Sequence, residues 1–164
     1  DLSAQQQAWI ESCQFKASRR THLLLPDSEG RISKVLFGVG SHGEAEPCGP
    51  SEFLLGDLAT KLPEGSYQIG AGFDDKEAAA IAWGLGAYKF SRYKSNAKGQ
   101  PPNLLLDGDM NGDRIRTITQ SVWLGRDLIN TPANDMGPDE IEAAASAVAT
   151  QHGARMNAII GAEG

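Results

Sequence analysis

Arg126-Asp-Leu-Ile-Asn-Thr-Pro-Ala-Asn-Asp-Met-Gly-Pro138 is the stretch that decides how this chain is organised. It lies between two segments, 111–129 and 138–153, whose apolar residues recur at helical spacing. Two prolines and two asparagines fall within its thirteen residues. Because these residue types fix turns and end helices, the stretch is predicted to be a junction of defined geometry rather than a loose linker.

The junction residues are predicted to be structural rather than catalytic. Asparagine side chains hydrogen-bond the backbone of turns, and proline fixes the course of the chain. Proline is also favoured at the first position of a helix, and here acidic residues follow in the first turn. The residues assigned to this role are Asn130, Thr131, Pro132, Asn134 and Pro138.

Upstream of the junction, short apolar runs alternate with segments of helical spacing, which indicates an α/β fold with a small mixed sheet flanked by helices. Turn residues at 27–30 join the first two strands into a hairpin. The run at 103–107 lacks alternation and is predicted to be a buried strand. Strands are predicted at 21–25, 34–39, 67–71, 103–107 and 156–160, and helices at 4–13, 51–60, 74–93, 111–129 and 138–153.

The segment 74–93 is predicted to be one continuous helix. Asp74 is placed as its N-cap, with Glu77 completing a capping box. Ala78, Ala82 and Gly86 form a stripe of small residues at four-residue spacing. Such a stripe predicts close packing of the helix on a sheet.

The composition describes an acidic globular chain of 164 residues with a net charge of −6. Sequence-independent binding of nucleic acid needs a basic surface, so nucleic acid is an unfavoured partner. No apolar run reaches the roughly 20 residues that a membrane-spanning helix needs. Two distant cysteines, Cys13 and Cys48, indicate free thiols in a reducing compartment, so a cytoplasmic location is expected.

One glycine-rich stretch matches the dinucleotide pattern G-x-G-x-x-G through Gly38, Gly40 and Gly43. That motif requires a helix to begin at the third glycine, so that its N-terminus holds the pyrophosphate. Here prolines and two carboxylates follow instead, at 44–50. A mobile glycine-rich loop is therefore preferred to a nucleotide site.

Two further groups of residues partly match metal-binding motifs but lack the full set or spacing of ligands. Residues 107–112 match the first half of an EF-hand loop, but the twelfth position is Ile118 instead of the bidentate glutamate. His42, Glu44, Glu46 and Cys48 follow no usual zinc spacing. With no nucleophile motif either, the sequence predicts no catalytic residue and no metal ligand in this chain.

Three segments resemble the leucyl (cytosol) aminopeptidase family, in the family's order. Residues 83–94 are similar to a helix that ends in G-A-Y-x-F-x-x-Y-K. The junction at 126–138 is similar to R-D-L-x-N-T-P-A-N-D-M-x-P, and residues 159–161 to the strand that follows it. Residues 1–70 match only loosely.

The resemblance implies an N-terminal α/β domain followed by a catalytic α/β domain that holds two divalent metal ions, Mn or Zn. The family's N-T-D-A-E-G-R ligand segment does not occur in this chain. The implied division is an N-terminal domain at 1–120, a connecting helix and turn at 121–137, and an incomplete second domain at 138–164. The implied partners are the chain's own catalytic domain, other subunits of a hexamer, and peptide substrates.

Two other functions remain open at this point. A macro-domain-like binding module could hold a nucleotide or ADP-ribose in its glycine loops, although only fold analogy supports it. A DNA-contacting module would use a local basic patch formed by Lys89, Arg92, Lys94 and Lys98.

Without its sheet partners, the predicted strand at 156–160 is expected to fray.

Overall fold

The structure is a computed structural model that describes residues 2–40, 51–94 and 100–159. Short strands alternate with helices along the described chain, as the sequence patterns predict. The elements are α1 (Ala4–Ser12), β1 (His22–Pro26), β2 (Ile32–Phe37), a 3₁₀ helix (Ser51–Thr60), β3 (Ser66–Gln68), α2 (Lys76–Gly86), β4 (Asn103–Leu105), α3 (Gly112–Asn130) and α4 (Pro138–Gln151).

The α/β class is confirmed, and within the described residues the four strands form two small sheets. β1 and β2 make the expected antiparallel hairpin, with Leu24 opposite Val35. Asp27 closes its turn by accepting backbone N–H groups of Glu29 and Arg31, both at 2.9 Å. β3 and β4 pair in parallel, with Tyr67 opposite Leu104.

The hydrophobic core lies between the 3₁₀ helix and α2. Burying apolar surface in such a core stabilises the fold by about 25 cal/mol for each Å² removed from water. β1 and β2 cover one part of the core through Leu24, Val35 and Phe37, and Tyr67 and Leu104 cover another. The buried members of the core are Leu55, Leu58, Ala59, Leu62, Ile69, Ala79, Ala80, Trp83 and Ile115.

Helix α2 is shorter than predicted and begins one residue later. Asp75, not Asp74, is the N-cap, because its side chain accepts the Ala78 N–H at 2.9 Å. The Glu77 carboxylate does not close a capping box and instead accepts the Asn111 N–H at 2.8 Å. The helix ends at Gly86 rather than near residue 93, and residues 87–94 follow as an irregular segment.

The stripe of small residues on α2 faces the 3₁₀ helix and not a sheet, contrary to the prediction. A Cβ added to Gly86 would lie 2.0 Å from the Gly56 carbonyl oxygen. A Cβ on Gly56 would lie 2.6 Å from the carbonyl oxygen of Ala82. The two helices therefore pack backbone to backbone, which only glycine permits at these positions.

The strand at 103–107 is shorter and more exposed than its apolar run suggests. Pairing with β3 ends at Leu105, whose side chain is 52% exposed. Leu106 is also exposed, so the prediction of a buried strand is wrong. Its outer face lacks a covering layer within the described residues.

The helices on either side of the junction, Gly112–Asn130 and Pro138–Gln151, begin and end within two residues of the predicted bounds. Asn111 caps α3 by accepting the Arg114 N–H at 3.0 Å, and Pro138 is the first residue of α4. The predicted terminal strand does not form over residues 154–159, and Ile160 lies outside the described residues. A strand without sheet partners has no ladder to join, which explains the difference.

Candidate functional site

Two side chains in the carboxyl-terminal half of α3 hydrogen-bond backbone carbonyls at the end of α2. The Trp123 indole donates to the Gly84 carbonyl oxygen at 3.0 Å. The Arg126 guanidinium donates to the Leu85 carbonyl oxygen at 2.6 Å. The last carbonyls of a helix have no partner within the helix, so these donors both cap α2 and position α3.

Tyr88 links the segment after α2 to the junction. Its hydroxyl donates to the Asp127 carboxylate at 2.8 Å and accepts from the Asn130 side-chain amide at 3.0 Å. Its ring lies 6.2 Å from the Trp123 ring, with the Arg126 guanidinium 5.3 Å from its centroid. Burial, and then the bond to Asp127, raise the pKa of the Tyr88 hydroxyl above its ordinary value.

Thr131, the first junction residue after α3, is buried. Its N–H donates to the Asp127 carbonyl oxygen at 3.0 Å, and its hydroxyl donates to the same oxygen at 2.6 Å. Arg92 reaches the Thr131 hydroxyl oxygen from the facing segment at 3.4 Å. Two hydrogen bonds from Thr131 to one carbonyl oxygen thus end α3. The same side chain also contacts the segment 87–94 through Arg92.

The turn beyond Thr131 is held by backbone and side-chain bonds. The Asp135 N–H donates to the Pro132 carbonyl oxygen at 2.9 Å, which closes the turn. The Tyr93 hydroxyl hydrogen-bonds the Asp135 carboxylate, and this bond raises the pKa of Tyr93. The Gly137 N–H donates to the Glu140 carboxylate at 2.8 Å and starts α4.

The two asparagines differ from their predicted roles. The Asn130 amide bonds a tyrosine hydroxyl instead of the turn backbone. Asn134 is exposed and makes no side-chain hydrogen bond to any described residue. Tyr88, Arg126 and Asp127 were missed as members of the network. The signal that could have found them was the pair of motifs at 83–94 and 126–138, which contact each other in the fold.

The glycine-rich stretch has a packing role at its first position. A Cβ on Gly38 would lie 2.1 Å from the Ser18 carbonyl oxygen, so only glycine fits there. Gly38 also exchanges backbone bonds with Arg20 and Thr21, both at 2.8 Å. Gly40 has a φ of +92°, and Gly43 lies outside the described residues.

The half EF-hand sequence is an ion-paired turn at the end of β4. The Lys76 ammonium contacts the Asp107 carboxylate at 2.8 Å, and the Gln68 amide bonds its other oxygen. These bonds lower the pKa of Asp107, and the Asp107 partner raises the pKa of Lys76. Asp107 is therefore engaged by a cation of the protein.

No group of three or more His, Cys, Asp or Glu side chains is arranged to hold a metal ion within residues 2–40, 51–94 and 100–159. The described part of the chain therefore does not fit the pair of divalent metals that the resemblance implies. The candidate cluster His42, Glu44, Glu46 and Cys48 lies outside it. No helix in the described part is long and apolar enough to cross a membrane.

Comparison with known proteins decides the family. The family described as M17 aminopeptidase, N-terminal domain, matches residues 1–106. The chain belongs to the M17 aminopeptidase family. The match covers both sheets, α2 and every buried core residue except Ile115, and it ends before α3. The resemblance to leucyl aminopeptidases drawn from residues 83–94 and 126–138 is confirmed.

Curated relatives named cytosol aminopeptidase agree with the family match. A probable cytosol aminopeptidase of Xanthobacter autotrophicus is 32% identical over 146 residues, which cover 76% of this chain and 29% of the relative. A probable cytosol aminopeptidase of Streptomyces avermitilis is 34% identical over 102 residues, covering 52% of this chain and 20% of that protein. The chain thus spans about a fifth to a third of the length of the curated relatives it matches.

Solved structures agree with the sequence relatives. The cytosol aminopeptidase of Coxiella burnetii superposes with a TM-score of 0.78 at 32% identity, over 92% of this chain and 32% of that one. The bottromycin maturation enzyme BotP, solved also in complex with Mn, gives a TM-score of 0.68 at 18% identity. BotP shares the fold over 93% of this chain.

Proposed function

We propose that this chain is the architectural amino-terminal part of a metal-dependent leucyl aminopeptidase, and that it positions the catalytic domain through the junction at 126–138. The observation behind the proposal is the set of contacts that clamp the junction to residues 84–93. Trp123, Arg126 and Asn130 reach across to α2 and the segment after it. A clamped junction fixes the direction in which the chain leaves the N-terminal unit.

The far side of the junction supports the same proposal. Helix α4 has no buried residue, and its Ile141 side chain is 54% exposed. Ile129, on the last turn of α3, is 84% exposed. Apolar side chains left in water are stabilised once a second domain covers them, by roughly 1.5–3 kcal/mol for each one fully buried.

The proposed division follows the sequence analysis. Residues 1–120 form the N-terminal domain, 121–137 the connecting helix and turn, and 138–164 the opening of the catalytic domain. The first boundary falls inside α3, which runs unbroken from 112 to 130. That helix would therefore belong to both units and act as a rigid link between them.

The remaining parts of the proposal concern the whole enzyme. Its catalytic domain would bind two divalent metal ions, Mn or Zn, and would remove N-terminal residues from peptides. The relatives named cytosol aminopeptidase favour a cytoplasmic enzyme. Assembly into a homo-hexamer is proposed from the family resemblance, with the N-terminal domain controlling access to the active sites. Nucleic acid is not a proposed partner, because the chain has a net charge of −6.

Activity of the longer polypeptide tests the proposal. The longest product of the reading frame that contains residues 1–164 is purified and incubated with leucine p-nitroanilide and Mn²⁺. Release of p-nitroaniline that stops with a chelator and returns with Mn²⁺ is expected from it. The chain 1–164, assayed in parallel, is expected to release none.

Two results would overturn the proposal. One is a reading frame that stops directly after Gly164. The other is a longer polypeptide that hydrolyses no aminoacyl substrate with any divalent metal. Tight binding of ADP-ribose in calorimetry, with chemical-shift changes at Gly38 and Gly40, would support the alternative of a binding module.

A further inference from the structure

The turn between β4 and α3 contains the one Asn-Gly step of the sequence, at Asn111 and Gly112. Asn111 is exposed, and it is the N-cap of α3. Its side-chain oxygen accepts the Arg114 N–H at 3.0 Å. Its amide nitrogen donates to no residue that the structure describes. The amide group is therefore open to water and to its neighbour in the chain.

A glycine after asparagine makes that asparagine chemically vulnerable. The backbone nitrogen of the following residue can attack the side-chain carbonyl carbon, and a Cβ on that residue hinders the approach. Glycine has no Cβ and leaves the backbone the greatest freedom to reach the reacting geometry. Asparagine is accordingly among the thermolabile residues of proteins. The fold does not require glycine here, because a Cβ on Gly112 would meet the Leu106 side chain at an acceptable 3.4 Å.

The same turn also contains an Asp-Gly step, at Asp107 and Gly108, whose surroundings differ. The Lys76 ammonium contacts the Asp107 carboxylate at 2.8 Å, and the Gln68 amide bonds its other oxygen. These bonds lower the pKa of Asp107 and keep it ionised. An ionised carboxylate resists nucleophilic attack, because its negative charge makes the carbon a poor electrophile. Asn111 has no such protection.

Glu77 of α2 restrains the two residues of the Asn-Gly step. Its carboxylate accepts the Asn111 N–H at 2.8 Å and contacts the Arg114 guanidinium at 2.9 Å. Because ψ of Asn111 is 87°, the Gly112 nitrogen lies opposite the Asn111 side chain across the Cα–C bond. The attack therefore needs the Asn111 backbone to rotate, which breaks the cap and the contact with Glu77. Helix ends open more readily than helix interiors, so this opening is accessible in the folded chain.

We propose that Asn111 is a deamidation site, and that the release of the first turn of α3 from Glu77 sets the rate. The Gly112 nitrogen loses its proton and bonds to the Asn111 Cγ, and the side-chain amide leaves as ammonia. Water then opens the cyclic imide at either carbonyl, which gives aspartate or isoaspartate. This inference does not depend on the proposed aminopeptidase function.

The two products act differently on α3. Aspartate keeps a side-chain oxygen at the cap, and its charge suits the N-terminus of a helix. Isoaspartate passes the backbone through the former side chain and adds a methylene group, so the bonds to Arg114 and Glu77 are lost. Because α3 carries Ile115 into the core and Trp123 to the end of α2, isoaspartate loosens the docking of α3 on α2.

Peptide mapping of the chain 1–164 after timed incubation in mildly alkaline buffer tests the proposal. Tryptic digestion with electron-transfer fragmentation is expected to find aspartate and isoaspartate at position 111, while Asn103 and Asn130 keep their amides. Gly112→Ala is expected to slow the conversion about tenfold or more. Glu77→Ala is expected to speed it about threefold or more, because the first turn of α3 opens more often.

Glu29→Ala is the matched control, because it removes an exposed carboxylate that pairs with Arg31 in the hairpin turn. It is expected to leave the rate unchanged. Glu77→Gln keeps an acceptor for the Asn111 N–H and supplies a second variant if Glu77→Ala does not fold, with a smaller acceleration expected. The proposal fails if Asn111 keeps its amide over a period in which a synthetic peptide of residues 107–115 loses it completely. It also fails if the Glu77 variants convert no faster than the Glu29→Ala control.

Discussion

Single glycines decide how closely α2 approaches its neighbours. Gly86 meets the backbone of the 3₁₀ helix, and Gly84 meets Thr119 of α3, where an added Cβ would lie 2.6 Å from the threonine hydroxyl. Both residues belong to the family-like segment 83–94. At this scale the segment is a packing motif, because its small residues let two helices reach α2 from different sides.

Substituting Gly86 by alanine is expected to destabilise the chain by about 1–3 kcal/mol, since the new methyl group would overlap the Gly56 carbonyl. Gly125→Ala is the matched control. Gly125 lies in α3 with open space around it, so alanine there is expected to stabilise by about 1 kcal/mol. Urea denaturation of both variants measures the difference. Equal effects of the same sign would refute the backbone contact.

The Thr119 hydroxyl is buried and has no hydrogen-bond partner among the residues that the structure describes. Thr119→Val keeps the side-chain shape and removes the unsatisfied group, so the free energy of unfolding is expected to rise by about 1 kcal/mol. Thr117→Val, at an exposed position of the same helix, controls for helix propensity and is expected to change it by less than about 0.5 kcal/mol. A loss of stability in Thr119→Val would contradict this description of the site.

At the scale of elements, α3 and the segment 87–94 hold each other through side chains that are distant in sequence. Tyr88 connects to Asp127 and Asn130, and Tyr93 connects to Asp135. None of these contacts lies within one helix. They therefore report the docking of one element on another, and their loss should loosen the junction before it unfolds the core.

Tyr88→Phe removes the hydroxyl that bridges Asp127 and Asn130. The expected result is a lower Tm together with faster amide exchange in the last turn of α3 and at Thr131. Tyr67→Phe is the control, because it removes a hydroxyl that bonds the Pro63 carbonyl oxygen far from the junction. That variant is expected to leave exchange at the junction unchanged. Similar amide exchange rates at the junction in both variants would show that the hydrogen bonds of the Tyr88 hydroxyl do not stabilise the junction.

The pair of Lys76 and Asp107 joins the start of α2 to the end of β4, and its contribution depends on pH. The pKa of Asp107 is lowered from 3.8, so its stabilisation is present above that pH and is lost as the pH falls through the folded value. The pKa of Lys76 is raised from 10.5, so its stabilisation is present below that pH and is lost as the pH rises through the folded value.

Asp107→Asn is therefore expected to lower the Tm at neutral pH. The Tm difference from the unsubstituted chain should shrink below about pH 3.8 and above about pH 10.5. Thermal scans across this range measure it. A difference that stays constant across the range would contradict the ion pair.

Local signals predict the starts of α3 and α4 to within one residue. The cap of α2 lies one residue later than predicted, and the end of α2 and the contacts at the junction depend on the fold. Asn111 and Pro138 mark helix starts because capping and proline geometry act within one turn. The end of α2 depends on Trp123 and Arg126, which bond carbonyl oxygens 39 and 41 residues away in sequence. Residue spacing within one helix cannot predict such contacts. Likewise, the exposure of Leu105 depends on which layer covers β4.

The whole molecule divides into a packed unit and an exposed extension. The core lies between the 3₁₀ helix and α2, and α3 continues from that unit to the junction. Helix α4 has 14 residues and none of them is buried. An isolated helix of about 12–15 residues is marginal in water, so α4 is expected to be marginally stable unless a second domain covers it, as proposed.

Native-state hydrogen exchange on chain 1–164 tests this division most directly. Amides of α2, and of α3 up to the junction, are expected to be protected to nearly the global free energy of unfolding. Amides of residues 138–151 are expected to exchange at close to the rate of an unstructured peptide. Protection of α4 equal to that of α2 would contradict the account, because the helix would then be part of a complete fold rather than the start of a second domain.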